Sequence, residues 1–331
     1  MTLNCDRRGV EPYLSKDLRP RNKSLLTGMF ALQPCMVLPC DTAIKELDQE
    51  GTYKYLGINE GDSIQHSKMK EKVRKVYYRR IRMVLKSELN AINKIEAINT
   101  VATRVVTYSF NIINWTAEDI KNLDRKTRKL LTKERMHHPK SDVDRIYLPR
   151  SLGGRGLIQI ETTYKTTTIG LATYLEKSDD PLPKSVNQHE ESRKSCSIKK
   201  YADKFKKELN IKEIARKSNM PVTKLAKRVK QHAKSQALDN IKQEWENKAM
   251  QGQYPSRIKE ADVDFKQTNN WLKGTGLKAE TEGLIIAAQD QSLATRLYHH
   301  KIIKDGTSPH CRLCNNEMMK ASTTFYPDVR S

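Results

Sequence analysis

Two cysteines near the C-terminus, Cys311 and Cys314, have the spacing of half a zinc site. A closed structural zinc site needs four ligands, usually Cys or His. No His or Cys follows Cys314 in the sequence, whereas His310 precedes the pair and His299 and His300 stand nearby. The sequence therefore predicts two free thiols and no cofactor, with zinc bound at Cys311 and Cys314 as the alternative.

Two further motifs have side chains or spacing suited to binding chemistry. Gly153-Gly154-Arg155-Gly156 is a glycine-rich segment whose backbone amides and arginine could approach a phosphate. A flexible turn explains it equally well, and the Gly-Lys-Ser/Thr ending of a P-loop is missing. His137 and His138 are adjacent, and adjacent residues of a helix do not face one another. We interpret them as a pair at the negative end of a helix rather than as a metal or acid–base site.

Positive charge is the strongest signal in the sequence. The chain has 61 Lys and Arg against 39 Asp and Glu, which gives a net charge of +22. Residues 65–155 contain 22 basic and 9 acidic residues, a net of +13. Such a field attracts polyanions, so we expect RNA, DNA or an RNA–DNA hybrid as the partner and an anionic membrane surface as the weaker alternative.

We predict that the phosphate-facing residues lie in this basic region, on its helices and at the glycine-rich turn. They are Lys72, Arg74, Arg79, Arg80, Arg82, Arg125, Lys126, Arg128, Lys129 and Arg155. Tyr77 and Tyr78 could stack on a base or sugar, but we expect both in the core. The three tryptophans, at 115, 245 and 271, are also predicted to be core anchors.

Composition limits the class of protein further. The 331 residues are 37% hydrophobic and only 6% aromatic, which favours small helical cores in two domains. No apolar run resembles a membrane span or a signal peptide. The six cysteines are sparse and unevenly spaced, so a disulfide framework is not expected. A reducing cytoplasmic or nuclear compartment fits these features.

Helical periodicity dominates the chain, and we predict a mainly α fold with minor short β segments. Helices are predicted at Ser63–Asn90, Asn93–Phe110, from Thr116 to before Pro139, Thr163–Leu175, Lys199–Leu209, Val222–Met250 and Glu280–His299. Extended segments are predicted at Thr52–Ile58 and Leu157–Ile160.

The helices group into modules. We expect a poorly ordered lead-in at 1–51, a helical module at 52–176, a linker at 177–198, a second helical module at 199–314 and a disordered tail at 315–331. The boundary at 177–198 is placed on its Pro-flanked, polar composition.

Several segments, taken in order, resemble reverse transcriptases of LINE-like retrotransposons, which lack long terminal repeats. The matching segments are Tyr53–Ile58, Lys94–Asn99, Thr107–Phe110, Asn114-Trp115, Asp124–Thr132, His137–Pro139, Asp144–Arg150, Gly153–Leu157, Trp245, Gly252–Tyr254, Trp271–Lys273, Thr281–Gly283, Ala287–Gln291 and Cys311–Cys314. The resemblance implies that 52–176 is that family's thumb. It also implies that 199–314 is its linker, ending in half of a zinc knuckle.

The same resemblance implies where catalysis would lie. In this family the palm precedes the thumb and carries an aromatic-Ala-Asp-Asp motif and a further Asp, which hold two metal ions. Residues 1–52 contain no such pair. Asp203, in Tyr201-Ala202-Asp203-Lys204, falls in a predicted helix, and Asp179-Asp180 falls in the predicted linker. We interpret neither as catalytic.

The leading hypothesis is therefore a truncated reverse transcriptase-like protein that binds RNA or DNA without catalysing polymerisation. One alternative is a piece of a functional RNA-directed DNA polymerase whose palm lies upstream. The other is a host-adopted helical adaptor that uses the apolar stripe of Val222–Met250 to bind a partner.

Overall fold

The computed structural model describes residues 53–55, 57–61, 64–192, 197–212, 220–274 and 276–310. The described residues are mainly α-helical, as predicted. The predicted lead-in at 1–51, the predicted tail at 315–331 and the cysteines at 311 and 314 lie outside them.

A short antiparallel hairpin precedes the helices, and the helices occupy most of the rest. The strands are β1 (Tyr53–Tyr55) and β2 (Ile58–Glu60). The helices are α1 (His66–Leu85), α2 (Ala91–Ala97), α3 (Thr103–Tyr108), α4 (Ala117–Lys133), α5 (Asp144–Tyr147), α6 (Ile160–Lys177), α7 (Pro181–Ser192), α8 (Ile198–Glu208), α9 (Val222–Glu246), α10 (Gln253–Arg257), α11 (Phe265–Thr268), α12 (Trp271–Gly274), α13 (Ala279–Gln289) and α14 (Arg296–Tyr298). A 3₁₀ turn lies at Arg150–Leu152, and π-helical turns lie at Ile98–Ala102 and His299–Ile303.

The chain divides into two compact units, residues 1–69 and 70–331. In the first unit, where one strand was predicted from Thr52 to Ile58, β1 and β2 form a hairpin, in which Tyr53 pairs with Glu60. The backbone of Gly57 has a φ of 84°, in the left-handed region that glycine adopts without strain. This glycine lets the chain reverse direction where an extended strand was expected.

Helices α1 and α4 follow the predicted patterns closely. The buried side chains of α1 recur every four residues, at Val73, Tyr77, Ile81 and Leu85. Helix α4 begins with a capping box, in which the Thr116 hydroxyl accepts from the Asp119 amide and the Asp119 carboxylate accepts from the Thr116 amide. Such a capping box is a start signal within the sequence itself, and it marks the beginning of the helix predicted from Thr116.

Helix α6 lies at the centre of the second unit, packed against α8 and α9. Its Ile169 shares a buried cluster with Phe205 of α8 and with Val229 and Ala233 of α9. The predicted modules 52–176 and 199–314 therefore share one core, and the boundary drawn between them is wrong. The apolar stripe of α9 is buried within the chain, so it is not exposed for binding a partner.

The predicted linker at 177–198 contains helix α7. Asp180 starts this helix, because its carboxylate accepts a hydrogen bond from the Leu182 amide at 3.1 Å. Pro181 then occupies the first helical position, where the missing N–H of proline costs nothing. The prolines that we took for linker residues instead belong to a helix start.

The segment Leu157–Ile160 is not a strand. The amide of Leu157 donates to the Ile146 carbonyl, and the amide of Ile158 donates to the side chain of Asn99, which in turn donates to the Gly156 carbonyl. An asparagine side chain thus takes the place of a partner strand. Ile160 already belongs to α6.

Candidate nucleic-acid interface

Helix α1 presents a row of exposed cations on one face. The row consists of Lys72, Lys75, Arg79, Arg82 and, just beyond the helix end, Lys86. Successive members are three or four residues apart, so they lie above one another on the helix surface. At 1.5 Å of rise per residue, the row is roughly 21 Å long.

Helix α4 carries a second row with a spacing of four residues. Its members are Lys121, Arg125, Lys129 and Lys133, and all four are exposed. Arg125 also contacts the Asn122 side chain at 2.6 Å and Glu118 at 3.5 Å. Two acidic residues of this helix lie in its first turn and the third, Asp124, is buried, so the four cations of the stripe give α4 a strongly positive outer face.

The two helices run side by side in the same direction. Near their N-termini Lys70 donates to the Asp119 carboxylate at 2.7 Å, and further along the Tyr77 hydroxyl lies 3.0 Å from that of Thr127. Beside the latter contact, the Lys126 ammonium lies over the Tyr78 ring at 4.5 Å.

The Lys126–Tyr78 contact fixes the relative orientation of the two rows. Successive residues of an α-helix are 100° apart around its axis. Going around the α1 axis from the side that faces α4, one meets Tyr78 first and then the cationic row. Going around the α4 axis from the side that faces α1, one meets Lys126 and then the second row, and this rotation is opposite in direction to that on α1. Because the helices are parallel, these opposite rotations place both cationic rows on the same side of the helix pair. We call this surface, made of the two rows and the Lys126–Tyr78 contact between them, the basic face.

Three of the predicted phosphate-facing arginines are partly engaged by the protein itself. Arg74 forms an ion pair with Asp119 and lies 5.6 Å from the centroid of the Trp115 ring. Arg80 donates to the Val101 carbonyl at 2.7 Å, and Arg128 donates to the Tyr147 hydroxyl at 2.8 Å. None of these three arginines belongs to the two rows. The rows combine predicted residues with others that were not predicted: Lys72, Arg79, Arg82, Arg125 and Lys129 were predicted, whereas Lys75, Lys86, Lys121 and Lys133 were not.

The two tyrosines of α1 lie in the core, as expected. Tyr77 is 1% exposed and Tyr78 is 7% exposed. Burial raises the pKa of both phenols, that of Tyr78 to about 12. Trp115 and Trp245 are also buried, whereas Trp271 is only half-buried. The tyrosines of α1 thus support the helix pair and are not stacking platforms.

Arg155 was predicted to face phosphate, and the structure overturns that prediction. Its side chain is fully buried, its Nε donates to the Glu282 carboxylate at 2.8 Å, and its Nη1 donates to the Met136 carbonyl. A guanidinium that is buried and hydrogen-bonded to these partners cannot contact a phosphate at the protein surface. The acidic partner stands 127 residues away in the sequence, so no local pattern signalled it.

The glycine-rich turn has no amide left for a phosphate. Its four amides donate to carbonyls within the chain: Gly153 to Arg150, Gly154 to Pro149, Arg155 to Arg145, and Gly156 to Leu148. At Gly154 a Cβ atom would lie 2.2 Å from the Leu148 carbonyl oxygen. This motif is a turn, as the alternative had it, but a tightly packed turn and not the flexible one that was expected.

A second buried ion pair joins the same turn to the end of α13. Arg145 Nη1 donates to Asp290 at 3.0 Å, and Arg145 Nε donates to the Gly153 carbonyl at 2.7 Å. The Arg145 guanidinium lies 4.7 Å from the Tyr254 ring centroid and 5.3 Å from that of Trp245. These residues came to notice in the sequence only as parts of separate motifs.

The remaining candidate side chains have structural roles. His137 is buried, and burial lowers its pKa to about 4, so the ring is neutral near pH 7. Asp203 is exposed on α8 and lies 3.7 Å from Lys206. Asp180 caps α7. Within the described ranges, no group of three or more His, Cys, Asp or Glu could hold a metal ion.

A groove between α3, α6 and α9 is a further feature that sequence reasoning missed. Its volume is about 660 Å³, and it is lined by threonines of α3 and α6 and by basic residues of α3 and α9. The signals available in the sequence were the threonines at 162, 163, 166 and 167 and the lysines at 230 and 234, four residues apart.

In the described part of the chain, no helix combines the length and apolar character that crossing a bilayer requires. No protein-family model matches the sequence, and no curated protein matches it either.

Proposed function

We propose that the protein binds nucleic acid through the basic face of α1 and α4, as a non-catalytic relative of the thumb and linker of LINE-like reverse transcriptases. The observation that carries this proposal is the pair of exposed cationic rows on one side of two parallel helices. A duplex presents one phosphate per roughly 1.7 Å of axis, so a row of this length faces many phosphates at once.

The segments that carry the family resemblance also meet in space. Asp144–Arg150 and Gly153–Leu157 are joined by buried ion pairs to Glu282 and to Asp290. Segments far apart in the sequence that resemble one family in order, and that form one cluster, support a shared origin. The basic face supports nucleic acid as the partner, and these segments support the relationship to the family.

The experiment reverses charge on the α1 row. A variant carrying Lys75→Glu, Arg79→Glu and Arg82→Glu is compared with the wild type by fluorescence anisotropy on a DNA duplex, a structured RNA and an RNA–DNA hybrid across a salt titration. Loss of three phosphate contacts lowers the slope of log affinity against log salt by about 2 to 3. Affinity falls on all sequences alike, because phosphate contacts carry no sequence information.

A matched control reverses three lysines on another helix. Lys200, Lys204 and Lys207 are exposed on α8 at the same spacing of three or four residues, and their change to Glu alters net charge equally. We expect this control to change the salt slope by less than one unit. Equal effects of the two variants would mean that diffuse net charge, and not the basic face, attracts the nucleic acid. Circular dichroism melting confirms that both variants are folded.

A further inference from the structure

The groove between α3, α6 and α9 holds a cluster of cations. Arg104 comes from α3, and Lys230 and Lys234 come from successive turns of α9. The stem of Lys230 packs against Gly170 of α6, where an added Cβ would lie 3.3 Å from Lys230 Cβ. The absence of a side chain at Gly170 lets α9 approach α6 and sets Lys230 at the wall of the groove.

Among the residues that the structure describes, no acidic side chain of the groove balances these charges. None of the described residues that line the groove is Asp or Glu, and none of the three cations forms an ion pair with a described residue. Burial, followed by the charges of Lys234 and Arg104, lowers the pKa of Lys230. An anion bound in this concave surface would reduce the mutual repulsion of the three cations.

A buried hydroxyl provides a second, independent sign of a ligand. Thr103 lines the groove, is 1% exposed, and its Oγ1 has no hydrogen-bond partner. It directly follows the π-helical turn Ile98–Ala102, so its backbone N–H bonds to the Ile98 carbonyl, five residues back. Buried hydroxyls normally have partners, and π-helical turns occur frequently at functional sites.

An aromatic ring completes the set of groups at the groove. Tyr108, from the last turn of α3, also lines it and is 55% exposed, in contrast to the buried tyrosines of α1. A basic groove with an exposed aromatic side chain is the arrangement by which proteins hold single-stranded nucleic acid, since each base has a face that can stack.

One hydrogen bond connects a residue of the groove to helix α4. Tyr147 lines the groove, and its hydroxyl accepts from Arg128 of α4, the helix that carries the second cationic row.

From these observations we infer that the groove binds a single-stranded extension of the nucleic acid. Arg104, Lys230 and Lys234 contact its phosphates, and Tyr108 stacks on one of its bases. This inference rests on the proposed function, because it requires that the protein bind nucleic acid. It adds a second site with a different preference, for a single strand over a duplex.

The test compares a short blunt duplex with the same duplex carrying a single-stranded extension, using the full chain and fluorescence anisotropy. For the wild type we expect the extension to raise affinity about tenfold, as one stacked base with its phosphates would. Arg104→Gln with Lys234→Gln should abolish this advantage. Tyr108→Ala should reduce it, whereas Tyr108→Phe, which keeps the ring, should retain it.

The α1 triple variant separates this inference from the proposed function. It should weaken both probes by the same factor and leave the ratio of their affinities unchanged. If the wild type binds neither probe, the proposed function fails. If it binds both equally, the groove inference alone fails.

Competition with a mononucleotide and with inorganic phosphate distinguishes the source of the anion. If either of them occupies the groove tightly, with loss of binding in the Arg104→Gln and Lys234→Gln variant, and the extension adds no affinity, the groove takes a small phosphate-bearing ligand. That result overturns the assignment to a nucleic-acid strand.

Discussion

Arg145 and Asp290 form an ion pair that solvent does not reach, with 1% and 0% of the side chains exposed and 3.0 Å between Nη1 and Oδ1. The two residues are 145 positions apart, so the pair ties the segment after α4 to the end of α13. Asp290 also accepts from the Asp142 amide at 3.0 Å, which satisfies its second oxygen. This pair and the contacts of Glu282 with Arg150 and Arg155 hold the basic helices and the C-terminal helices in one unit.

Removal of the carboxylate charge at this pair should destabilise the protein strongly. In Asp290→Asn the Arg145 guanidinium stays buried without a counter-charge, which costs about 3 to 5 kcal/mol of unfolding free energy. The measurement is urea unfolding followed by circular dichroism. As a control, Glu118→Gln disrupts the exposed pair with Arg125 and should cost less than about 1 kcal/mol. Similar losses for both variants would contradict a dominant role for the buried pair.

We expect that position 154 accepts only glycine, because a Cβ atom there would clash with its neighbours. The Cβ of alanine would lie 2.2 Å from the Leu148 carbonyl oxygen and 2.4 Å from Leu148 Cβ, so the turn has to shift. We expect Gly154→Ala to cost at least about 2 kcal/mol. At Gly274, nothing lies within 4 Å of the corresponding position, and Gly274→Ala should leave stability unchanged or raise it by up to about 1 kcal/mol. Thermal melting of the two variants under one condition compares them directly.

Helices with a strong local signal could be predicted from the sequence. The capping box at Thr116 and the four-residue apolar spacing of α1 each lie within one stretch of chain, and the helices predicted there were confirmed. The Pro-flanked segment around Pro181 was misread, because proline marks both a linker and the first turn of a helix.

The parts of the site that depend on distant partners could not be predicted. Arg155 has the composition and neighbours of a phosphate ligand, and only its partner Glu282, folded against it from α13, shows that it is buried. The groove likewise combines Arg104 with Lys230 and Lys234, which meet only because α3, α6 and α9 pack together. Local sequence shows which residues carry charge, but tertiary packing decides which charges face solvent.

Stability should fall with rising pH through the titration of Asp124. This carboxylate is buried and accepts from the amides of Ile160 and Glu161, both at 2.9 Å, at the start of α6. Burial raises its pKa to about 7 against the lowering effect of those hydrogen bonds. Between pH values of about 4 and 7 the folded state therefore binds more protons than the unfolded state, and this group's contribution to stability decreases as pH rises.

Asp124→Asn isolates that contribution, because asparagine does not titrate. The difference in unfolding free energy between wild type and variant should favour the wild type most at about pH 4 and below, and shrink by on the order of 4 kcal/mol towards about pH 8. Urea unfolding at several pH values measures it. A difference that stays constant with pH would show that Asp124 does not titrate in this window.

Arg155 should contribute to stability and not to nucleic-acid binding. Lysine at this position keeps the charge but lacks the planar group that bonds both Glu282 and the Met136 carbonyl, so Arg155→Lys should lower unfolding free energy by about 2 to 4 kcal/mol. At a temperature where the variant is folded, its nucleic-acid affinity and salt slope should equal those of the wild type. The exposed Lys129 on α4 gives the opposite pattern: Lys129→Gln should leave stability unchanged and lower the slope by about one unit. Since lysine keeps the charge, Arg155→Gln is the variant that tests phosphate contact: a slope lowered by about one unit in folded Arg155→Gln would mean that Arg155 reaches phosphate, and that the buried pair with Glu282 opens when nucleic acid binds.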